Sequence, residues 1–219
     1  MLTLIGTSHL DMDGYDRLSK LLAYLKPSVI GIEETREDFE GTSNLVRALS
    51  NPQTFENALS NAKKQFPDAN HDTLKQWLSS IHYENEAIGE YSTANDVPII
   101  YCDNPQELEK VDFDAEARNK DSSLNRGIEA FLRQSPQEAR LDIRQEYSLT
   151  EYPVKDCVEL VAFYQGRDKH TEQILRSQTG NVVYVCGLDH IFGDYHPNLF
   201  DRLIDSHPGR MKLSEADQL

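Results

Sequence analysis

The sequence predicts an α/β domain of three layers, with a small, mostly parallel sheet and a large helical component. Three observations carry this. Four short apolar runs are bounded by turn residues, as buried strands are. The first two are joined by a helical stripe within about 30 residues, the size of a βαβ unit. Most of the chain between the runs repeats its apolar residues at helical spacing.

The runs are Leu2–Ile5, Ser28–Glu33, Val97–Cys102 and Asn181–Gly187. Between the first two, Leu18, Leu21, Leu22 and Leu25 mark a helix that Lys26-Pro27 stops, and a parallel pair is expected to follow. Residues 54–64 place Phe55, Ala58, Leu59 and Ala62 on one face. A longer helix, capped by Asp72 or Thr73, is expected to carry Leu74, Trp77, Ile81, Glu84, Ile88 and Tyr91 as one stripe. Another, over 154–177, is expected to bury Val158, Val161, Ala162, Ile174 and Leu175. Residues 104–150 are charged and weakly periodic, and from Ser206 the chain reads as a frayed tail. A single domain over 1–219 follows, its core in 1–36, 97–103 and 181–205 and its helical segments in 37–96 and 104–180.

The net charge of −15 argues against DNA or RNA as partner, since phosphate binding needs a basic surface, and disfavours a membrane surface equally. No apolar run is long enough to span a bilayer, and the chain opens directly on a strand, so a cytoplasmic protein is expected. Cys102, Cys157 and Cys186 each sit in an apolar run without a Cys-x-x-Cys pair, and read as small buried thiols. Oligomerisation with further copies is left open.

Chemistry is expected where polar residues follow strands. The first strand ends in Gly6-Thr7-Ser8-His9, the last in Gly187-Leu188-Asp189-His190, and the second in Glu33-Glu34. The carboxyl ends of parallel strands form the ligand-binding edge of such a sheet, so His9, Glu33 and His190 open onto one crevice if their strands are neighbours. Two imidazoles and a carboxylate are a common ligand set for a divalent ion such as Mn, Co or Zn. Each histidine alone reads more often as a hydrogen-bonded structural residue, but two Gly-x-x-His steps with a strand-end Glu bring the site reading level with that one. Glu84 falls on an apolar stripe, where a carboxylate needs a partner. Arg167 shares a stripe with Leu160, Phe163 and Ile174 and needs a carboxylate in turn; Asp168, next to it, is placed to orient a histidine. Asp103 closes the third strand at the same edge. No nucleophile elbow, phosphate loop, His-Glu-x-x-His or dinucleotide motif is present.

The segments "LIGTSHLD" and "LKPSVIGIEETR", followed late in the chain by "GRDKHTEQIL" and "NVVYVCGLDHIFG", resemble the TraB/PrgY/Tiki-type proteins over roughly residues 2–36 and 84–193. Relatives in that group include pheromone-shutdown proteins, erythromycin esterases and haem-binding ChaN-like proteins, so the group does not fix one reaction. The resemblance implies that His9, His190 and Glu33 are the motif residues, as in Tiki members regarded as metal-dependent proteases. The expectation is therefore a metal-dependent hydrolase of peptide or amide bonds. His9, His190 and Glu33 would hold the ion, Glu84 or Glu33 would act as base, and Arg167 would meet the oxyanion. Gly6, Gly187, Asp103 and Asp168 would support them or bind substrate. The alternatives are a module that binds a peptide or haem without turnover, and a metal-free esterase-like hydrolase.

Overall fold

In the computed structural model, which describes residues 1–105, 123–155 and 158–219, five parallel strands form one sheet in the order β3-β2-β4-β1-β5. They are β1 (Leu2–Thr7), β2 (Val29–Ile32), β3 (Ile99–Tyr101), β4 (Val182–Gly187) and β5 (Gly209–Lys212). The four apolar runs all become strands. The expected pairing does not hold, because β4 stands between β1 and β2 and bonds to both. The reason lies in burial. All but the last residue of β4 are buried, and a strand that apolar needs cover on both edges and both faces.

Between the strands run α1 (Gly14–Leu25), α2 (Arg36–Leu49), α3 (Pro52–Gln65), α4 (His71–Ser80), α5 (Tyr83–Asn95), α6 (Ser123–Arg133), α7 (Pro136–Ser148) and α8 (Val158–Arg176). After β4 come α9 (Leu188–Phe192) and α10 (Leu199–Arg202). The pleat of β1 sorts the layers. A Cβ on Gly6 would meet Leu188, Ile191 and Phe192 of α9, whereas the Thr7 hydroxyl reaches Tyr83 and Glu84 of α5. Successive residues point to opposite faces, so α9 and α5 cover opposite sides of the sheet. Helix α1 packs against α5, and α8 against α10. The core joins Leu4, Ile5, Leu18, Leu21, Leu22, Ile30 and Val183, all fully buried.

Three expectations are corrected. The long helix over 72–91 is two, broken at Ile81–His82, and Asn70 rather than Asp72 or Thr73 caps the first of them. The break turns Tyr83, Ala87 and Ile88 inward and leaves Glu84 in the first turn of α5. In α8 the buried face is Arg167, Asp168, Thr171 and Leu175, while Val158 and Ala162 are exposed and Val161 only half-buried. That face is charged because it meets the polar end of the sheet. The residues after Ser206 are not frayed: β5 pairs with β1, and the 3₁₀ segment Leu213–Gln218 buries Leu213 and Ala216 completely. Cys102 and Cys186 are buried thiols, with burial pushing Cys102 up to about 12; Cys157 lies outside the described residues.

Candidate active site

Because β2, β4 and β1 are neighbours, the three strand-end segments meet at one edge of the sheet. The central one, after β4, turns at Gly187 straight into α9, which places His190 in the first turn of that helix with 3% of its surface exposed. Its Nδ1 lies 2.5 Å from Oδ1 of the fully buried Asp168. The Tyr195 hydroxyl donates to the other Asp168 oxygen at 2.7 Å, and the Tyr164 ring stands edge-on to the imidazole. Asp168 therefore orients the imidazole, taking Nδ1 as its partner and turning Nε2 toward Glu33. Nε2 comes within 2.9 Å of Glu33 Oε1, yet off the line of a hydrogen bond, so this buried nitrogen has no hydrogen-bond partner.

Glu33 is held from three sides. Gly187 N–H donates to Oε2 at 2.8 Å, and Arg167 Nη2 and His190 Nε2 approach Oε1 at 2.7 and 2.9 Å. Arg167 is in turn gripped by Asp103 through two parallel hydrogen bonds of 2.7 Å, the planar fork geometry that orients a guanidinium. Asp103 and Arg167 thus fix the carboxylate of Glu33. Burial works to raise the Glu33 pKa, but His190 and Arg167 outweigh it and hold the carboxyl well below its usual range. Burial also works to lower the His190 pKa; Glu33 and Asp168 outweigh it and push it up to about 10.

His9 enters from the β1 side on a loop tied down by buried bonds. Tyr83 donates to the Ser8 carbonyl at 3.0 Å, and Ser8 N–H donates to the Tyr147 hydroxyl at 3.1 Å. Tyr147 bonds Asp11, which Arg17 links to Asp217 near the chain end. Nδ1 of His9 lies 3.3 Å from Glu84 Oε2. The Glu84 charge draws the His9 pKa upward, an effect that water tempers because 67% of the side chain is exposed. Glu84 itself is mostly buried. Burial alone would raise its pKa, yet His9 and Thr7 hold it below the usual value, and its Oε1 has no hydrogen-bond partner.

These groups surround a cleft of about 290 Å³ whose walls include His9, Glu33, Glu34, Glu84, Arg167 and Cys186. Gly187 and His190 are not on its wall, but Gly187 stands against two of the wall residues. A Cβ there would lie 3.6 Å from His9 Nε2 and 3.7 Å from Glu33 Oε2, so the missing side chain leaves the space between the two rings open. Gly6, by contrast, belongs to the packing of β1 on α9 and does not line the cleft. Among the described residues, no group of three or more His, Cys, Asp or Glu side chains is arranged to hold a metal ion as it stands. The donor chemistry nevertheless fits a divalent ion. An unpartnered buried Nε2 is fixed by a carboxylate on its far nitrogen, and an anionic Glu and a second imidazole converge on a corner that a Cβ would fill.

Three cleft residues escaped the sequence reading: Glu34, Asn85 and His82. Asn85 donates to Glu34 at 2.7 Å, while burial, aided by the Glu84 charge, pushes Glu34 up to about 7. The doubled Glu33-Glu34 at a strand end was the available signal. His82 shows no such signal, since it comes into the wall only through the break between α4 and α5. No family model matches the chain, and neither a curated protein nor a solved structure gives a match, so the reading of this site stands on its own geometry.

Proposed function

We propose that this chain is a hydrolase of peptide or amide bonds that works with a divalent ion, Mn, Co or Zn, held by His9, His190 and Glu33, as the resemblance to TraB/PrgY/Tiki proteins implies. One observation carries the reading. Asp168 fixes His190 so that a buried, unpartnered Nε2 faces Glu33 and the His9 side of an open corner. A bound ion would supply a Lewis acid and a water that ionises near neutral pH. The remaining work falls to the chain's own groups. Glu84 stays ionised on the cleft wall beside His9, where it would accept a proton from the attacking water. Glu34 stands on the same cleft as a second proton carrier, suited to give its own proton to the leaving amine and be reprotonated from solvent, while Glu84 releases the water's proton to solvent. Arg167 holds Glu33 in place, and its charge at the cleft wall favours a developing oxyanion. A cytoplasmic location is proposed with it, as the sequence led us to expect; the structure adds only that no described helix is long and apolar enough to cross a membrane.

The direct approach of His190 to Glu33 favours a second reading, in which the histidine–glutamate pair activates water without an ion. Turnover of a peptide and ester library, with and without chelation and re-addition of each ion, decides between them. The ion reading expects activity to vanish on chelation, to return with one metal, and to be lost in His190→Ala. Full activity in protein shown to be metal-free would sink it and leave the second reading. No turnover under any condition would leave the cleft as a binding site only.

A further inference from the structure

The catalytic cleft continues beyond itself. It shares Ile81 and His82 with a pocket of about 190 Å³ whose other walls include Val46, Leu49, Phe55 and Leu78. That pocket shares Val46, Ser50 and Glu86 with a groove of about 610 Å³ running between α2 and α5, from Asn85 to Ala94. The three depressions share wall residues in succession, and together they outline one track that begins at Glu84. Its length follows from α5. Ten residues of helix between Glu84 and Ala94 rise about 15 Å, which matches four to five residues of extended chain at ~3.3 Å each.

Its chemistry changes along the way. Next to the cleft the walls are apolar. Further out the wall turns polar: Ser43 offers a hydroxyl, the Ser92 and Thr93 hydroxyls already donate to backbone carbonyls, and Glu86, shared with the inner pocket, and Glu90, which accepts from Tyr15, set negative charge against the lining cation Arg47. Gly89 keeps the floor of the outer groove empty. A Cβ there would meet only the Phe39 ring tip at 3.8 Å, an ordinary contact, so packing does not demand a glycine.

We propose that this track binds an extended polypeptide substrate, with an apolar side chain in the Val46/Phe55/Leu78 pocket and a basic residue beside Glu86 and Glu90. The proposal rests on the hydrolase reading for its direction toward the cleft. Three features select a peptide over a small molecule: the track is continuous with the catalytic cleft, it has the reach of several extended residues, and its charge complements a basic chain.

The test is binding to the full chain under chelation, where turnover plays no part. The probes are two fluorescent peptides of about five residues, one carrying Leu followed by two Lys, the other Asp followed by two Glu. The Leu-Lys peptide is expected to bind, and to shift backbone amides of Val46, Gly89 and Ser92 in NMR spectra. Gly89→Leu fills the floor and Ser43→Trp fills the opposite wall; each should weaken binding about tenfold or more while the circular dichroism spectrum stays that of the parent. Equal binding of the acidic peptide, unchanged affinity in both filled variants, or no binding at millimolar peptide would overturn the proposal. A concentration-dependent dimer abolished by Gly89→Leu would overturn it too, by assigning the groove to a second copy of the chain. Loss of the hydrolase reading would appear as absent turnover with the peptide still bound in the track. A working hydrolase indifferent to both filled variants would sink the track alone.

Discussion

Replacing Asp168 by Asn probes the part of the site that the imidazole depends on. Asp168 is fully buried and accepts two hydrogen bonds, from the Tyr195 hydroxyl at 2.7 Å and from His190 Nδ1 at 2.5 Å. Asparagine has nearly the same shape but offers one acceptor oxygen and an amide that only donates. If the oxygen stays with Tyr195, the amide meets His190 Nδ1, and the ring must then present a lone pair there and carry its proton on Nε2. Exchanging one charge-assisted bond for a neutral one costs roughly 1–3 kcal/mol of stability. The functional cost is larger, because Nε2 can no longer offer a lone pair to the crevice; loss of such a supporting carboxylate lowers metal affinity or activity about 10- to 100-fold. Asp168→Ala leaves both donors unpartnered in the interior and should cost roughly 3–5 kcal/mol. Urea unfolding reads the stabilities. Long-range proton–nitrogen NMR spectra, recorded above the imidazole pKa, read which ring nitrogen carries the proton. An Asn variant that keeps the Nδ1–H tautomer and the parent stability would refute the account of how His190 is oriented.

Other outcomes follow from the same structure. The raised His190 pKa, pushed up to about 10, adds stability that is full below the unfolded value of about 6.5 and is lost as pH rises toward the folded one. The depressed Glu33 pKa adds stability that is full above about 4.5 and is lost on acidification, so chelated protein should be most stable between about pH 4.5 and 6.5. Urea midpoints that hold level or climb from about pH 6.5 to 9 would contradict this. Leu213→Ala should cost roughly 2–5 kcal/mol in urea unfolding, because the side chain is fully buried beside β1; a surface-like change would restore the frayed-tail reading. Gly89→Ala should gain roughly 0.5–1 kcal/mol, since it relieves a helix-interior glycine and meets only one ordinary contact. A destabilised Gly89→Ala would mean that the groove floor is tighter than its geometry implies.

The fold was legible wherever burial leaves a local mark. A parallel strand covered on both faces reads as a continuous apolar run, which is why the runs Leu2–Ile5 and Asn181–Gly187 stood out. Strand β5 left no such mark. Gly209, Arg210, Met211 and Lys212 form a half-exposed edge with a single large apolar residue, so only pairing with β1 makes them a strand. The insertion of β4 between β1 and β2 was equally invisible, because it is decided by contacts between segments more than 150 residues apart. The break at Ile81–His82 contains neither Gly nor Pro, and the apolar spacing across it fits one straight helix.

At the site, what the sequence could show was where each chain segment leaves the sheet, and what it could not show was which partner each side chain finds there. His9, Glu33 and His190 follow from the first kind of information, since each closes an apolar run at the carboxyl edge. Arg167 belongs to the second. Its place on a helix stripe announced a carboxylate partner, but only the arrangement of β3 beside α8 assigns Asp103 to grip it and Glu33 to receive it, a positioning task that precedes any role at an oxyanion. Glu34 belongs to the second kind as well. Alternation along a strand sends neighbours to opposite faces, yet β2 stops at Ile32, and beyond that point the backbone is free to bring both glutamates to one cleft. The doubled glutamate therefore supplies the site with one carboxylate held ionised by Arg167 and His190, and a second, bonded by Asn85, that titrates near neutrality. Environments that push two neighbouring carboxyls apart in this way are what separate acid from base in a hydrolytic site.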